Sequence, residues 1–416
     1  MAEEFQKRPF ARLLILWISG ICIATYVPFP GWIGIGTALF FFLFLVLTKP
    51  VEARLSFASR GNWGMLFAVF FLCLSIGYVR YRLRWEGTDE LSAWQIYFRE
   101  WQLRLLASLD VLDLAEQEKN VLATLTLGYR QHLDWTIRER FNFSGAAHIL
   151  SVSGFHVGVV YAFLRTCLFF LPEHTLFRYV KQILLLVGIW GFTLLAGMES
   201  PAVRSALMLS FYLVGKLLVR RADSYNTWAA SAFCMLVYNP FYLFDLGFEL
   251  SYLAVLSILF FYRRIRGWFA LRNPGLQMLW DWVAVSLAAQ IGTLPLCFYY
   301  FGQISSVSML VALPVTVYSI LLIPCALCWI MLYQFGCAWS WVGTGVAWLT
   351  SSFCHFIDRM GRIPPLAASR PFTPLLLALS YAALLAFCIY LYNKEKRYLF
   401  ATLSLLLLFS LALLLF

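Results

Sequence analysis

The sequence predicts an all-α fold, a polytopic transmembrane helical bundle of about 11–13 spans with broken or re-entrant helices. Two observations carry this prediction: an extreme apolar composition, and repeated uncharged windows as long as a membrane-spanning helix. Of the 416 residues, 62% are hydrophobic and 13% are charged, and the mean hydropathy is +0.76. Soluble domains are about 45–50% apolar and about 25% charged. The composition therefore excludes an ordinary soluble protein, which would lack the polar residues to cover its surface.

The uncharged windows define the individual spans. Each holds roughly the 20 residues that an α-helix needs to cross about 30 Å of hydrocarbon. We predict spans near 11–27, 31–48, 63–79, 145–171, 179–197, 201–219, 225–241, 247–262, 279–300, 305–333, 341–357, 373–392 and 398–416. The first window has no small-residue cleavage site and runs through Pro28 and Pro30 into the next span, so we expect a retained helix rather than a cleaved signal peptide.

Membrane topology accounts for the net charge of +11. With the N-terminus inside, most of the Lys and Arg residues fall in short cytoplasmic segments such as 263–272 and 394–397. This distribution follows the positive-inside rule. The basic excess is therefore no nucleic-acid signature, and we predict a multi-pass protein of the bacterial cytoplasmic membrane.

The segment 86–144 is too polar to span the membrane and too long to be a turn. Its first part repeats apolar residues every three or four positions, with Arg99, Glu100 and Arg104 on the other face. We expect an amphipathic helix in the outer membrane interface, then a weaker helix at 116–127 that ends at Gly128. No strand alternation occurs, so no sizeable β-domain is predicted here. The segment separates N-terminal helices, 1–85, from a core at 145–372 and the last helices at 373–416.

Polar residues inside the apolar bundle are the candidate functional residues, because an ionisable group at membrane depth is costly unless it is paired or faces a cavity. The first cluster opens the predicted span at 145 and comprises His148, Ser151, Ser153, Gly154 and His156. Gly154 and Gly158 are spaced for close helix packing, which is one interpretation. The other is an unwound segment, which a membrane tolerates only where the backbone lines protein or water.

A second cluster surrounds Pro201 and Arg204. Ser200 suits an N-cap and Pro201 the first helical position, which puts Arg204 in the first turn of a helix. Such a helix N-terminus attracts anions such as phosphate. An ion pair between Arg204 and Glu199 that only anchors the helix is the alternative.

A third cluster comprises Asp245, Glu249 and Ser251. Pro240 and Gly247 interrupt two hydrophobic runs here, which indicates a broken-helix hairpin. We expect the two carboxylates to hold this architecture. A fourth stretch, at 293–303, contains the helix-kinking Pro295. The ten cysteines show no Cys/His spacing typical of zinc, so no metal and no cofactor are predicted.

At these residues the sequence resembles the ComEC competence-protein family. Four motifs occur in the family's order between about 120 and 315: the run 148–157; Ala196 and Gly197 with Pro201 and 204–208; Arg221, Asp223, Asn239 and Pro240 with 244–255; and 293–296 with 300–302 and Pro314. The resemblance implies a channel that passes single-stranded DNA across the cytoplasmic membrane in natural transformation. It implies a separate DNA receptor and a cytoplasmic motor as partners, beside membrane lipid. The three clusters would then line or gate the DNA path within a competence-type channel core at 145–372.

The chain departs from the family in two places. Family members commonly carry an outer OB-fold domain and a metallo-β-lactamase-like domain, and neither is recognisable here. We therefore expect a minimal member or a channel core that is not itself an enzyme, with the nuclease supplied separately. Arg80, Arg82 and Arg84 are the remaining candidates for an outer basic mouth, although they are also placed to grip lipid phosphates.

Two other functions stay open. Broken helices and buried charges also fit a secondary transporter of a small solute. Ser153 and His156 suggest an intramembrane hydrolase, but they are three residues apart and we expect them to meet only if Gly154 distorts the helix.

Overall fold

A computed structural model describes residues 8–27, 36, 69–82, 93–172, 175–218, 223–305, 307–364, 366–367 and 372–415. Apart from residue 36, the span predicted at 31–48 lies outside the described residues, as do the beginning of the span at 63–79 and Arg84. The all-α prediction is confirmed. In the described part, the only strands are β1 (Gln303–Ile304) and β2 (Leu366–Ala367).

The chain divides into two compact units, residues 1–101 with 161–252 and residues 102–160 with 253–416. In chain order the helices are α1 (Pro9–Tyr26), α2 (69–82), α3 (Ala93–Leu106), α4 (Glu116–Leu127), α5 (Trp135–Ser144), α6 (Gly154–Cys167), α7 (Thr175–Leu195), α8 (Ser200–Leu217), α9 (Ser224–Tyr238), α10 (Leu246–Arg266), α11 (Pro274–Phe301), α12 (Ser308–Gln334), α13 (Ser340–Met360), α14 (Pro374–Asn393) and α15 (Lys396–Leu415).

Within the described residues, seven helices are long and apolar enough to cross a membrane: α1, α7, α10, α11, α12, α14 and α15. The chain is accordingly a multi-pass membrane protein. The span predicted at 145–171 is shorter than expected, since α6 has 14 residues and a length of about 21 Å. Its first nine residues are a 3₁₀ turn and irregular backbone, because Gly145 and the serines of this stretch favour turns over helix.

The first unit packs α1 and α2 against α9. Trp17, Ile21 and Ala24 of α1 are buried, and the Trp17 indole donates to the carbonyl of Leu236 at 3.1 Å. Gly20 lies so close to α2 that a Cβ there would collide with the Ser75 hydroxyl. The helix ends agree with this packing, because Arg80 near the end of α2 donates to the carbonyl of Val27 that follows α1.

The second unit packs α4 and α5 against α12 and α13. The predicted helix at 116–127 is present with its predicted end, since Gly128 adopts the left-handed conformation at φ +71°. Its last seven residues are all buried, and the helix packs against α12 and α13. Its place at the membrane interface stays a prediction. Helix α5 was missed because its polar sequence has no apolar period. The antiparallel β1–β2 pair puts the loops after α11 and α13 at the same end of this unit, as the predicted topology requires.

Close packing of α10 on α11 gives a stability prediction. Gly292 faces Ser257, whose hydroxyl donates to the carbonyl of Ala288 at 2.6 Å. A Cβ at Gly292 would lie 2.7 Å from the Ser257 Cβ, so Gly292→Leu should force the helices apart and cost about 1–3 kcal/mol. Gly345→Leu in α13 is the control, because a Cβ there meets nothing within 4 Å. Thermal unfolding of the purified variants in detergent measures the difference, and equal melting temperatures would contradict this packing.

Candidate functional site

The first polar cluster lies in the second unit, between α5 and α6. Gly145 ends α5 in the left-handed conformation at φ +79°. A 3₁₀ turn follows at Ala147–Ile149, and α6 begins at Gly154. His148 and Gly154 are exposed, Ser151 and Ser153 are half-buried and His156 is fully buried. The cluster is therefore a non-helical segment that leads into an apolar helix. Its polar groups range from exposed to fully buried.

Ser153 and His156 do meet, but not for the reason expected. The Ser153 amide donates to His156 Nδ1 at 3.2 Å, and the Ser153 hydroxyl lies 3.0 Å from the same nitrogen. Because α6 starts at Gly154, Ser153 occupies the N-cap position and His156 the third helical position, where a side chain naturally reaches back to the cap. The expectation that Gly154 must distort the helix was wrong. No distortion is needed for this pair.

This geometry favours a helix cap over a catalytic pair. Nδ1 accepts the Ser153 amide proton, which assigns the ring proton to Nε2. Nε2 is buried and has no hydrogen-bond partner among the described residues. A hydrolytic serine–histidine pair needs a third group that orients the imidazole from its far side, and no residue in the described part of the chain does so here.

The capping role predicts the effect of two substitutions at His156. His156→Asn keeps an acceptor near the Nδ1 position and should retain most of the stability. His156→Leu leaves the Ser153 amide unpaired at a helix start and should cost about 1 kcal/mol more. Thermal unfolding in detergent compares them. A Leu variant as stable as the Asn variant would show that the cap contributes nothing.

The second and third clusters come together in the first unit. Helix α8 begins one residue earlier than predicted, with Glu199 at the N-cap and Ser200 and Pro201 as its first residues. Arg204 is 1% exposed. It donates from Nη1 to the Ser200 hydroxyl and from Nη2 to the Ser251 hydroxyl, both at 2.7 Å. Arg204 forms an ion pair with Asp245 at 4.0 Å, a partner that neither interpretation of Arg204 included. Its contact with phosphate stays a prediction.

The broken-helix hairpin is present between α9 and α10. Helix α9 ends at Tyr238, a 3₁₀ turn spans Pro240–Phe244, and α10 begins at Leu246. The Asn239 side chain accepts the Phe241 amide at 3.0 Å and the Asp245 carboxylate accepts the Phe248 amide at 3.0 Å, so each caps a helical segment. Glu249 lies in the first turn of α10, where a carboxylate is favourable. The sequence could not show that Ser251 reaches Arg204, because 47 residues separate them.

The arginines of the predicted outer mouth are described only in part. Arg80 and Arg82 are half-buried at the end of α2, and Arg80 donates to the carbonyl of Val27. Their proposed contact with DNA or lipid phosphate stays a prediction.

A cavity of about 510 Å³ in the second unit was not predicted. Carboxylates dominate its charged lining, namely Glu116, Glu118 and Asp358 beside Arg140. Glu118 accepts the Ser351 hydroxyl at 2.8 Å, and Asp358 pairs with Arg140 at 3.5 Å. On the rim, hydrogen bonds from Lys119 to Glu116 and then Asp110 raise the pKa of the lysine. Such walls repel phosphate, so this cavity is a poor candidate for a nucleic-acid path.

Metal chemistry finds no support in the described part of the chain, where no group of three His, Cys, Asp or Glu side chains is arranged to hold an ion. The polar groups of the clusters are hydroxyls, two imidazoles, a guanidinium and two carboxylates, at or near helix starts. These groups can bind and position a polar or charged ligand.

The family model for "Competence protein" matches residues 125–395. This match covers both polar clusters. It leaves the first spans and the last helix outside.

Curated relatives match over similar stretches. ComE operon protein 3 of Bacillus subtilis is 26% identical over 254 residues, which are 59% of this chain and 31% of that protein. Recombination protein 2 of Haemophilus influenzae is 24% identical over 250 residues, 56% of this chain and 32% of that protein. An uncharacterised protein of Aquifex aeolicus is 30% identical over 168 residues, 40% and 37% of the two chains. The matched stretches thus span about a third of these relatives' length. No solved structure matches.

Proposed function

Because this chain belongs to the competence protein family, we propose that it is a cytoplasmic-membrane channel that passes single-stranded DNA into the cell during natural transformation. Two of its relatives carry names that point the same way, ComE operon protein 3 and Recombination protein 2. The chain acts as a conduit and is not itself an enzyme.

The single observation that carries the proposal is the polar, non-helical backbone at two helix junctions of an apolar bundle. In hydrocarbon, irregular backbone persists only where it is buried in protein or lines a water-filled path. The junction 145–153 and the junction 239–245 are both polar and not α-helical, and both lie within the matched family region. They are the best candidates for the wall of a hydrated conduit.

Each cluster has a role in this proposal. The segment from His148 to His156 forms one wall, and Arg204 contacts the phosphates of the strand. Asp245 and Glu249 hold the hairpin at 239–245. Arg80, Arg82 and Arg84 form the outer mouth, and a separate receptor, nuclease and cytoplasmic motor deliver, cut and pull the DNA. A driven strand needs such a motor, because the chain contains no Gly-rich phosphate-binding loop of a nucleotide hydrolase.

Uptake of labelled transforming DNA tests the proposal. In cells deleted for the gene, labelled DNA should reach the outer side of the cytoplasmic membrane but should not arrive in the cytoplasm. Restoring the gene should restore arrival. Unimpaired arrival in the deletion, in cells without a second homologue, would end the DNA proposal. Failure of the deleted cells to move a small solute across the membrane would then support the secondary transporter.

A further inference from the structure

The charge of Arg204 is only partly compensated where it lies. Its side chain is 2% exposed, and its two closest partners are the neutral hydroxyls of Ser200 and Ser251. Its Nε has no hydrogen-bond partner among the described residues. The Asp245 carboxylate is 4.0 Å away, too far for a hydrogen bond. A buried cation is costly unless a counter-ion and hydrogen bonds satisfy it, so this position favours a closely bound anion.

Two helix N-termini strengthen the preference for an anion. Ser200, which accepts from Arg204, is the first residue of α8, and Ser251 lies in the second turn of α10. The guanidinium therefore lies beside the starts of two long helices. Each helix start carries about half a positive charge, and these add to the charge of the arginine.

Asp245 occupies this position only loosely. Its carboxylate caps α10 through the Phe248 amide, and 45% of its side chain remains exposed. Gly247 lies close beside the pair, since a Cβ there would be only 3.2 Å from the Asp245 carboxylate, tighter than an ordinary contact, and 3.8 Å from Arg204 Nη2. Because the carboxylate is half-exposed, it can swing towards water, and an incoming anion would then take the position that it leaves beside Arg204.

We propose that Arg204 and the starts of α8 and α10 form an oxyanion site, with Asp245 as a resident counter-anion that an incoming phosphate group displaces. The identity of that phosphate as one of the DNA backbone rests on the proposed function. The exchange keeps one anion, either the carboxylate or the phosphate, beside the buried guanidinium at all times. While the conduit is empty, the Asp245 carboxylate competes with other anions for Arg204. The carboxylate returns to Arg204 when the strand has passed.

Substitution of Asp245 tests the exchange. Asp245→Asn removes the competing charge but keeps an N-cap side chain, because Asn caps helices as well as Asp does. Purified protein in detergent is titrated with inorganic phosphate at constant ionic strength, and the affinity is read from thermal stabilisation. We expect Asp245→Asn to bind phosphate about tenfold more tightly than the unsubstituted protein, since it no longer has to displace a carboxylate. Unchanged or weaker phosphate binding would overturn the proposal.

Asp223→Asn is the matched control. Asp223 also caps a helix, through the Asn226 amide at 2.8 Å, and also pairs with an arginine, Arg8, at 3.3 Å. Its carboxylate is 44% exposed, but Arg8 is 26% exposed where Arg204 is 2% exposed. Asp223→Asn should therefore leave phosphate affinity unchanged. A tenfold gain in this control as well would show a general effect of charge and overturn the site.

The source of the phosphate is settled with two further probes, a short oligothymidylate and nanodiscs containing phosphatidylglycerol. Tighter oligothymidylate binding by Asp245→Asn in phosphatidylcholine nanodiscs supports the DNA backbone as the ligand. Loss of oligothymidylate binding in nanodiscs that contain phosphatidylglycerol would assign the site to lipid headgroups and overturn DNA as its ligand. If phosphate affinity rises in Asp245→Asn but DNA uptake does not need the gene, the oxyanion site stands and the proposed function fails. If DNA uptake needs the gene but Asp245→Asn leaves phosphate affinity unchanged, the proposed function stands and the oxyanion site fails.

Discussion

Arg204→Met is expected to reduce DNA uptake at least about thirtyfold while leaving the protein as stable as before. Loss of one partner from a buried charged contact costs about 2–5 kcal/mol of binding, here the binding of a phosphate in transit. Stability should not fall in parallel, because replacing a poorly compensated buried charge with an apolar side chain of similar size is often neutral or stabilising. The half-exposed Asp245 carboxylate loses its partner but remains hydrated and still caps α10.

The measurement pairs transformation efficiency with membrane abundance and thermal unfolding of the same variant. Arg266→Met is the control, because Arg266 pairs with Asp281 at 2.7 Å but is half-exposed at the end of α10. It should change neither uptake nor stability by much. Normal uptake by Arg204→Met at normal abundance would remove Arg204 from the DNA path.

Gly145→Ala is expected to be the most destabilising of the single substitutions proposed. Gly145 has φ +79°, a conformation that costs other residues about 1–2 kcal/mol. A Cβ at this position would also lie 2.6 Å from the Ser308 Cβ and 3.0 Å from its Cα. Because backbone must move to relieve that contact, a further 1–3 kcal/mol, roughly, is expected.

Gly302→Ala separates the two contributions. Gly302 has φ +62°, but a Cβ there meets nothing within 4 Å. Thermal unfolding should show a loss of about 1 kcal/mol for Gly302→Ala and about 3 kcal/mol for Gly145→Ala. Equal losses in the two variants would mean that Gly145 does not pack against α12 as described. Uptake should fall with Gly145→Ala, because this residue sets the start of the non-helical segment that leads to His156.

Composition and hydrophobic windows were enough to predict the helical membrane fold. Turn residues placed several helix ends correctly: Gly128 ends α4, and Pro240 and Gly247 mark the hairpin between α9 and α10. Both signals are local, and the backbone responds to them wherever they occur. Helix α5 was not predicted because Arg138, Glu139 and Arg140 interrupt any apolar period. Packing against α13 stabilises this helix.

The candidate residues could be found from the sequence, but their partners could not. Buried charge in an apolar run marks Arg204 without the fold, whereas Ser251 and Asp245 reach it only through the packing of α10 on α8. The Ser153–His156 contact was misjudged because a helix was assumed to run through both residues. The position of a helix start, one residue either way, decides whether two such side chains meet.

Site-specific crosslinking of DNA in transit tests the conduit most directly. A photoreactive amino acid is placed at Ser151 in the first polar cluster, at Phe244 beside Asp245, and at Leu407 on α15. Leu407 is the control because it is 62% exposed on an apolar membrane helix. A conduit at these two junctions predicts that labelled single-stranded DNA crosslinks at Ser151 and Phe244 during uptake and not at Leu407. Uptake that proceeds normally with no crosslink at either polar junction, or with an equal crosslink at Leu407, would contradict it.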